Sequence, residues 1–514
     1  MRVLLVDPEG EKISPGLNLG IAYLSSSLRR EGHNVGCVDL HNFSTENPSA
    51  RLKKAIESFH PDMVGFSIIN IAYRRATKLI AECREYYKGY IVAGGPEVSF
   101  QKENTLLTID ALDAVVIGEG EESLVKLAEC VQAGTKPNSV EGVIFRDRDS
   151  NKVITNPARL LRNDIDSYPF PDYEVFGVRR MDIYPVISSR GCPHNCSFCS
   201  KYTVRSWRGR RINQVISEIK QAKEKYQIKI IQLWDSCFNP TEKRAEELCD
   251  ALIASGLNIP WVAMGVRADK ISDVVAKKLL LSNCKILWMG IESFDGQVFE
   301  AIDKGEKLED IKRGVQVARK YGLSVYGFMI MGLPHDSLKK TLHSADEAIK
   351  LGVDRIFYAT ATPFTETRLY GWVKEHGTML GDPLAVNQII TEENNGIIFE
   401  TKEFSLSDRK KALRALNVKT GFISSKGMHH CIFPLYKIVL ILRYDFKNIF
   451  RRFLKSIRYR RNKVSRIETL MENAVLCLNR IPDGSWGILK DECSNEDQII
   501  IVRQKDFSIQ PERK

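Results

Sequence analysis

Three cysteines, Cys192, Cys196 and Cys199, lie in the run Ser-Arg-Gly-Cys-Pro-His-Asn-Cys-Ser-Phe-Cys-Ser. Thiolates at this C-x₃-C-x₂-C spacing can hold three irons of a [4Fe–4S] cube and leave the fourth iron open to another ligand. The competing readings are a zinc knuckle and ordinary buried cysteines. A closed zinc site wants a fourth ligand at the usual spacing. His194 sits inside the loop and could not easily turn inward beside three thiolates. Cys237, two residues beyond Asp235, reads either as a cavity-facing thiol that relays a hydrogen atom or carries a methyl group, or as a small buried hydrophobe. Cys37, Cys83, Cys130, Cys249, Cys284, Cys431, Cys477 and Cys493 share no ligand spacing, so no second cluster is expected.

The elements around the triplet alternate. Strand-like runs at Tyr184–Ser188, Lys229–Trp234, Trp261–Val266, Ile286–Gly290, Ser324–Met331 and Arg355–Ala361 are separated by helical patterns such as Ile212–Tyr226 and Thr241–Ser255. Six βα units predict a partial barrel with chemistry at the carboxyl ends of its strands. The cysteine loop follows the first of these strands, where that rule places it.

Upstream, Arg2–Asp7, Asn34–Asp39, Met63–Ile68, Tyr90–Ala93 and Ala114–Ile117 read as short apolar strands. Helices are expected at Ile21–Arg30, from Tyr73, and at Glu121–Cys130. This pattern predicts a parallel sheet covered on both faces, with ligands at the strand ends. Those ends carry small residues: Ser67, Gly94-Gly95-Pro96 and Gly118-Glu119-Gly120-Glu121. Such residues let a backbone approach a flat, bulky ligand, although a flavodoxin-like domain with ordinary turns would also accommodate them. Between the two units, residues 136–184 carry Pro137, Pro157, Pro169 and Pro171 and read as a linker.

With these motifs in place, residues 1 to about 375 resemble the cobalamin-binding radical-SAM enzymes. The resemblance implies a Rossmann-like (flavodoxin-like) cobalamin domain over 1–135, a linker over 136–184, and a partial (β/α)6 radical-SAM core over 185–375. A mostly helical, basic region would occupy 376–514. It further implies that S-adenosylmethionine chelates the open iron. Phe198 would lie near adenine, Asp235-Ser236 would face the methionine amino group with Ser in place of the usual second acid, and Arg267 would meet the carboxylate. Glu292-Ser293 would contact ribose and methionine, and Gly332-Leu333-Pro334 and Pro363 would form the later turns. Ser67, Gly94, Gly95, Gly118, Glu119 and Gly120 would surround cobalamin. The Asp-x-His-x-x-Gly motif of many cobalamin proteins is missing, since the loop after the first strand reads Asp7-Pro8-Glu9-Gly10. No histidine would therefore ligate cobalt. A degenerate domain that binds no cobalamin is the alternative.

The 514 residues exceed one core, and the composition, 43% hydrophobic and 27% charged, is globular. No signal peptide or membrane span is read. Twelve irregularly spaced cysteines do not form a secreted disulfide framework. A reducing cytoplasm is the expected compartment. The net charge is +11, and the stretch from Arg443 to Lys463 holds nine Lys/Arg against one Asp. There Leu442, Phe446, Ile449, Phe450, Phe453 and Ile457 recur at helical spacing. Such a helix can lie on an anionic membrane surface or pack its face on the barrel mouth. No nucleic-acid module accompanies the charge. The expected function is methyl transfer to an unactivated carbon of a small-molecule or lipid-like substrate, with electrons from a flavodoxin or ferredoxin. The alternatives are radical cyclisation or oxidation without methyl transfer, and a non-catalytic cobalamin or iron–sulfur sensor.

Overall fold

The computed structural model describes residues 1–8, 17–40, 47–200, 206–383 and 396–420. Val3, Leu4, Leu5 and Val6 are at most 2% exposed. An unbroken apolar run of this kind suits a parallel strand with helices on both faces. The strands β1 (Arg2–Asp7), β2 (Asn34–Asp39), β3 (Met63–Ser67), β4 (Tyr90–Gly94), β5 (Ala114–Val116), β6 (Val143–Asp147) and β7 (Lys152–Thr155) form one sheet of order β2-β1-β3-β4-β5-β6-β7. The first five are parallel, in the flavodoxin-like order. Helices α1 (Leu19–Arg30) and α6 (Glu121–Ala133) cover one face. Helices α2 (Pro48–Phe59), α3 (Tyr73–Tyr86), α4 (Pro96–Gln101) and α5 (Glu103–Thr108) cover the other.

The expected linker is only partly one. The antiparallel strands β6 and β7 extend the N-terminal sheet into residues 143–155. Pro137 and Pro157 lie outside these two strands rather than within them, so the prolines mark their limits and do not break them. The connector proper is 156–182. It is anchored by Tyr173, whose hydroxyl donates to Pro185 O at 3.1 Å and whose ring meets Tyr184 edge-on at 5.4 Å.

The second unit contains β8 (Ile183–Val186), the short pair β9 (Ser189–Arg190) and β10 (Arg208–Gly209), then β11 (Ile230–Leu233), β12 (Trp261–Val266), β13 (Cys284–Glu292), β14 (Ser324–Met331) and β15 (Arg355–Thr360). Strands β8 and β11 to β15 pair in parallel in sequence order, and β8 and β15 remain the two edges. The result is the expected six-stranded partial barrel. Helices α7 (Ile212–Tyr226), α8 (Glu242–Ala254), α9 (Asp273–Leu281), α10 (Gly296–Ala301), α11 (Leu308–Lys320) and α12 (Leu338–Leu351) pack around it. Two ladders slip near their carboxyl ends, β12 against β13 beyond Ala263, and β13 against β14 between Gly290 and Glu292. Such bulges re-aim side chains beside sites.

The described C-terminal part follows α13 (Arg368–His376). It holds a small antiparallel pair, β16 (Gly377–Met379) with β17 (Phe399–Thr401), and one helix, α14 (Leu406–Thr420). That helix buries Ala412 and Leu416 against Met331 and Ala345. The basic pattern from 442 to 463 lies outside the described residues. Among the described residues, no helix is long and apolar enough to cross a membrane.

Candidate functional site

The cysteine loop leaves β9 through Gly191, at φ +83°, and is pinned from several sides. Ser197 N donates to Ile302 O at 2.8 Å, and Leu369 N donates to Ser197 O at 3.0 Å. Arg368 bonds the carbonyl of Asn195 and pairs with Asp303 at 2.8 Å. The ends of α10 and α13 therefore hold the loop against the barrel mouth. Phe198 is half-buried against the barrel core.

Asp235, at the end of β11, is 4% exposed. Its carboxylate accepts Ser188 N at 2.7 Å, Ser188 Oγ at 2.5 Å and Ser189 Oγ at 2.8 Å. Burial pushes its carboxyl up while these serines pull it down, and the balance is upward. Asp235 thus braces the backbone that enters the cysteine loop. Ser236 beside it is exposed.

Cys192, His194 and Cys237 bring their ligating atoms within 4.8 Å of one another. The Cys192 thiol is pulled down to about 6, first by the neighbouring Cys237 and further by the His194 backbone, Arg267 and Lys304, against its burial. Contact with Cys192 and burial push Cys237 up. Burial raises Cys196 to about 12 and lowers His194 to about 4.

The cations beneath the loop are buried. Arg267, after β12, binds Asp269 Oδ1 at 3.0 Å and the carbonyls of Lys304 at 3.2 Å and Gly305 at 2.8 Å. Asn239 fixes it further, exchanging backbone bonds with Arg267 N and O at 2.8 and 2.9 Å. Lys304 donates to Gly290 O and lies 2.9 Å from Glu306 and 3.7 Å from Glu292. Burial raises the Glu292 carboxyl against the pull of Lys304. Glu292 ends β13 at φ +63°, a backbone region rare for a non-glycine. Ser293 Oγ shares a hydrogen bond with Ser344 Oγ at 3.1 Å. Pro363 is buried after β15.

The N-terminal loops converge as well. Asn18 Nδ2 bonds Ser67 Oγ at 3.3 Å and Asp7 Oδ1 at 3.2 Å, linking the ends of β1 and β3. Ser99 joins the next two loops, accepting from Gly118 N and donating to Gly95 O, each at 2.9 Å. At Gly95, φ +105°, a Cβ would meet Ile68 O at 2.7 Å, so no side chain fits. At Gly118, φ +76°, the side a Cβ would take is open. Glu119 does not point a free carboxylate into that space, since Arg208 and Arg190 take it.

Sequence reasoning missed Lys304, Glu306, Asn239, Arg190 and Arg208. Only Arg190 carried a local signal, two positions before the first cysteine.

Residues 14–128 match the B12 binding domain model, and residues 186–348 match the Radical SAM superfamily model. An uncharacterized methyltransferase of Pyrococcus horikoshii is 31% identical over 394 residues, which span 74% of this chain and 84% of that protein. The chain belongs to the cobalamin-binding radical-SAM family. An anaerobic magnesium-protoporphyrin IX monomethyl ester cyclase of Rubrivivax gelatinosus is 24% identical, over 72% of this chain and 69% of its own length. In fold, the family member matches the radical S-adenosylmethionine methyltransferase TsrM from Kitasatospora setae, with a TM-score of 0.66 at 17% identity, covering 81% of this chain and 88% of that one. As a radical-SAM enzyme the chain uses a [4Fe–4S] cluster, S-adenosylmethionine and cobalamin. Its residues suit them. Three thiols in one loop, with the cations Arg267 and Lys304 buried close by, offer a donor set for an anionic iron–sulfur cube. The open ground over Gly118 and the closed turn at Gly95 suit a broad planar ligand at the strand ends.

Proposed function

We propose that this enzyme transfers a methyl group to an unactivated carbon of a small molecule. The observation that carries the reading is the cysteine loop at the carboxyl end of the barrel, whose flanking strands β9 and β10 are bonded through Arg190 and Arg208 to Glu121 and Glu119 at a strand end of the B12-binding domain. Bound at these loops, the cluster would supply reductive cleavage of S-adenosylmethionine, and cobalamin would supply a transferable methyl group. Cys192, Cys196 and Cys199 would hold the cube. Phe198, Ser236, Glu292, Ser293 and Pro363 lie around the ground where S-adenosylmethionine would rest. Asp235 and Arg267 shape that ground by holding backbone rather than by offering free charge. Ser67, Gly94, Gly95, Gly118 and Gly120 would give cobalamin its platform, and Glu119 would anchor that platform through Arg208 and Arg190. The loop Asp7-Pro8-Glu9-Gly10 offers no histidine, so cobalt takes no histidine ligand from it. A flavodoxin or ferredoxin is the electron donor. The basic stretch 443–463 would bring the enzyme to an anionic membrane surface if the substrate is lipid-like.

The similarity to the cyclase favours a second reading, radical cyclisation or oxidation without methyl transfer. Product analysis separates the two. With candidate substrates and S-adenosylmethionine under anaerobic reducing conditions, methyl transfer makes S-adenosylhomocysteine and 5′-deoxyadenosine together. Turnover that makes 5′-deoxyadenosine without S-adenosylhomocysteine would select the cyclase reading.

A further inference from the structure

The base of the cysteine loop is tied across the domain boundary by a four-residue ionic clamp. In the antiparallel pair of β9 and β10, Arg208 stands opposite Arg190, and the three cysteines lie between these strands in sequence. Two guanidinium groups side by side repel unless carboxylates compensate them, and burial sharpens that need. The compensation comes from the other domain. Arg208 grips Glu119 in a fork, with bonds of 2.5 Å to Oε1 and 3.1 Å to Oε2. Arg190 binds Glu121 Oε1 at 2.6 Å and lies 3.5 Å from Glu119 Oε1. The Arg190 guanidinium also lies over the rings of Tyr23 and Tyr168, at 5.0 and 5.1 Å from their centroids. The side chains are close to dry: 4% exposed for Arg208, 15% for Arg190, 17% for Glu119 and 7% for Glu121.

The fork is the geometry in which arginine fixes orientation as well as charge. On the barrel side the clamp holds Arg190, two residues before Cys192, and Arg208 opposite it; on the other side it holds Glu119 and Glu121, where the last parallel strand of the B12-binding domain leads into α6. We infer that Arg190 and Arg208 are positioning residues that fix the separation and tilt of the cysteine loop relative to loop 118–121. Naming the two groups so held, the cluster and the corrin, rests on the function proposed above. The clamp itself does not.

The test is the double variant Glu119→Gln, Glu121→Gln in the full chain, with Asp273→Asn, at an exposed ion pair on α9, as control. In cofactor-free protein, hydrogen–deuterium exchange of the peptides around 188–192 and 206–210 should quicken by about tenfold, with other barrel strands unchanged. Unchanged exchange in those peptides, or equal quickening throughout the barrel, would overturn the inference, the second result marking the clamp as a general stabiliser only. In protein reconstituted with iron, sulfide and hydroxocobalamin, then reduced, pulsed EPR reads the distance between the cluster and cob(II)alamin. A narrow distribution in the parent should broaden in the variant while iron content stays the same. An unchanged distribution would also overturn the inference. If the parent binds no cobalamin, the proposed function fails, and the exchange result still decides the clamp.

Discussion

Replacing Lys304 by methionine keeps an unbranched apolar stem of nearly the same length and removes the ammonium that three partners share. Gly290 O loses its donor, and Glu306 and Glu292 lose a cation at 2.9 and 3.7 Å. With an effective dielectric of about 20, the two gross attractions are roughly 6 and 4 kcal/mol. Most of that offsets the cost of burying lysine, and breaking a buried pair from one side costs about 3–5 kcal/mol net. At about 2–4 °C per kcal/mol for a unit of this size, the melting temperature should fall by roughly 6–20 °C at about pH 8. The deficit should depend on pH in a defined direction. Burial already raises the Glu292 carboxyl against Lys304, and without the lysine nothing opposes it. Between its unfolded and folded values the folded state then holds more protons than the unfolded state, so the variant regains stability as pH falls through that window. Scanning fluorimetry of cluster-free parent and variant at about pH 8 and about pH 5.5 measures both effects. A melting temperature unchanged at the higher pH, or a deficit identical at both, would refute the account of this buried network.

Gly265→Ala should cost at least about 2 kcal/mol, because alanine is strained at φ +66° and its Cβ would lie 2.2 Å from Asp235 O; chemical denaturation of the cluster-free protein measures it. Single Cys192, Cys196 and Cys199→Ala variants should each lose most of the roughly four irons per chain that reconstitution gives, whereas Cys237→Ser should keep them; iron analysis decides, and iron loss in the last variant would make Cys237 a cluster ligand. Arg409 is 1% exposed between Phe399 and Phe404, and burial lowers its guanidinium to about 10. Arg409→Leu should therefore change the melting temperature little, while Arg409→Ala should cost about 2–4 kcal/mol through the cavity it opens.

Much of the fold was legible because apolar β-rich runs and helical periodicity are local signals. β1, β2, β12 and β14 fall where the sequence places them, and the triplet follows the first barrel strand, as the sequence reading placed it. Strands β6 and β7 were not legible, because a short run such as Val143–Asp147 among prolines and charges resembles a loop until a sheet edge receives it. Side-chain direction was legible least. Asp235 sits at the expected strand end, but the hydroxyls of Ser188 and Ser189, 47 and 46 residues away in sequence, decide where its carboxylate points. Glu119 lies in the expected loop, but arginines 71 and 89 positions later take its charge. Lys304 carries no motif, and its role comes from Gly290 and Glu292 at the end of β13, which the fold brings against it.

Anaerobic reconstitution with iron, sulfide and hydroxocobalamin, followed by a chemical reductant and S-adenosylmethionine, tests the central claim most directly. The account predicts about four irons per chain, a bound corrin spectrum, and 5′-deoxyadenosine that accumulates in the parent and is absent when all three loop cysteines are replaced by alanine. Full iron and corrin loading with no 5′-deoxyadenosine would contradict it.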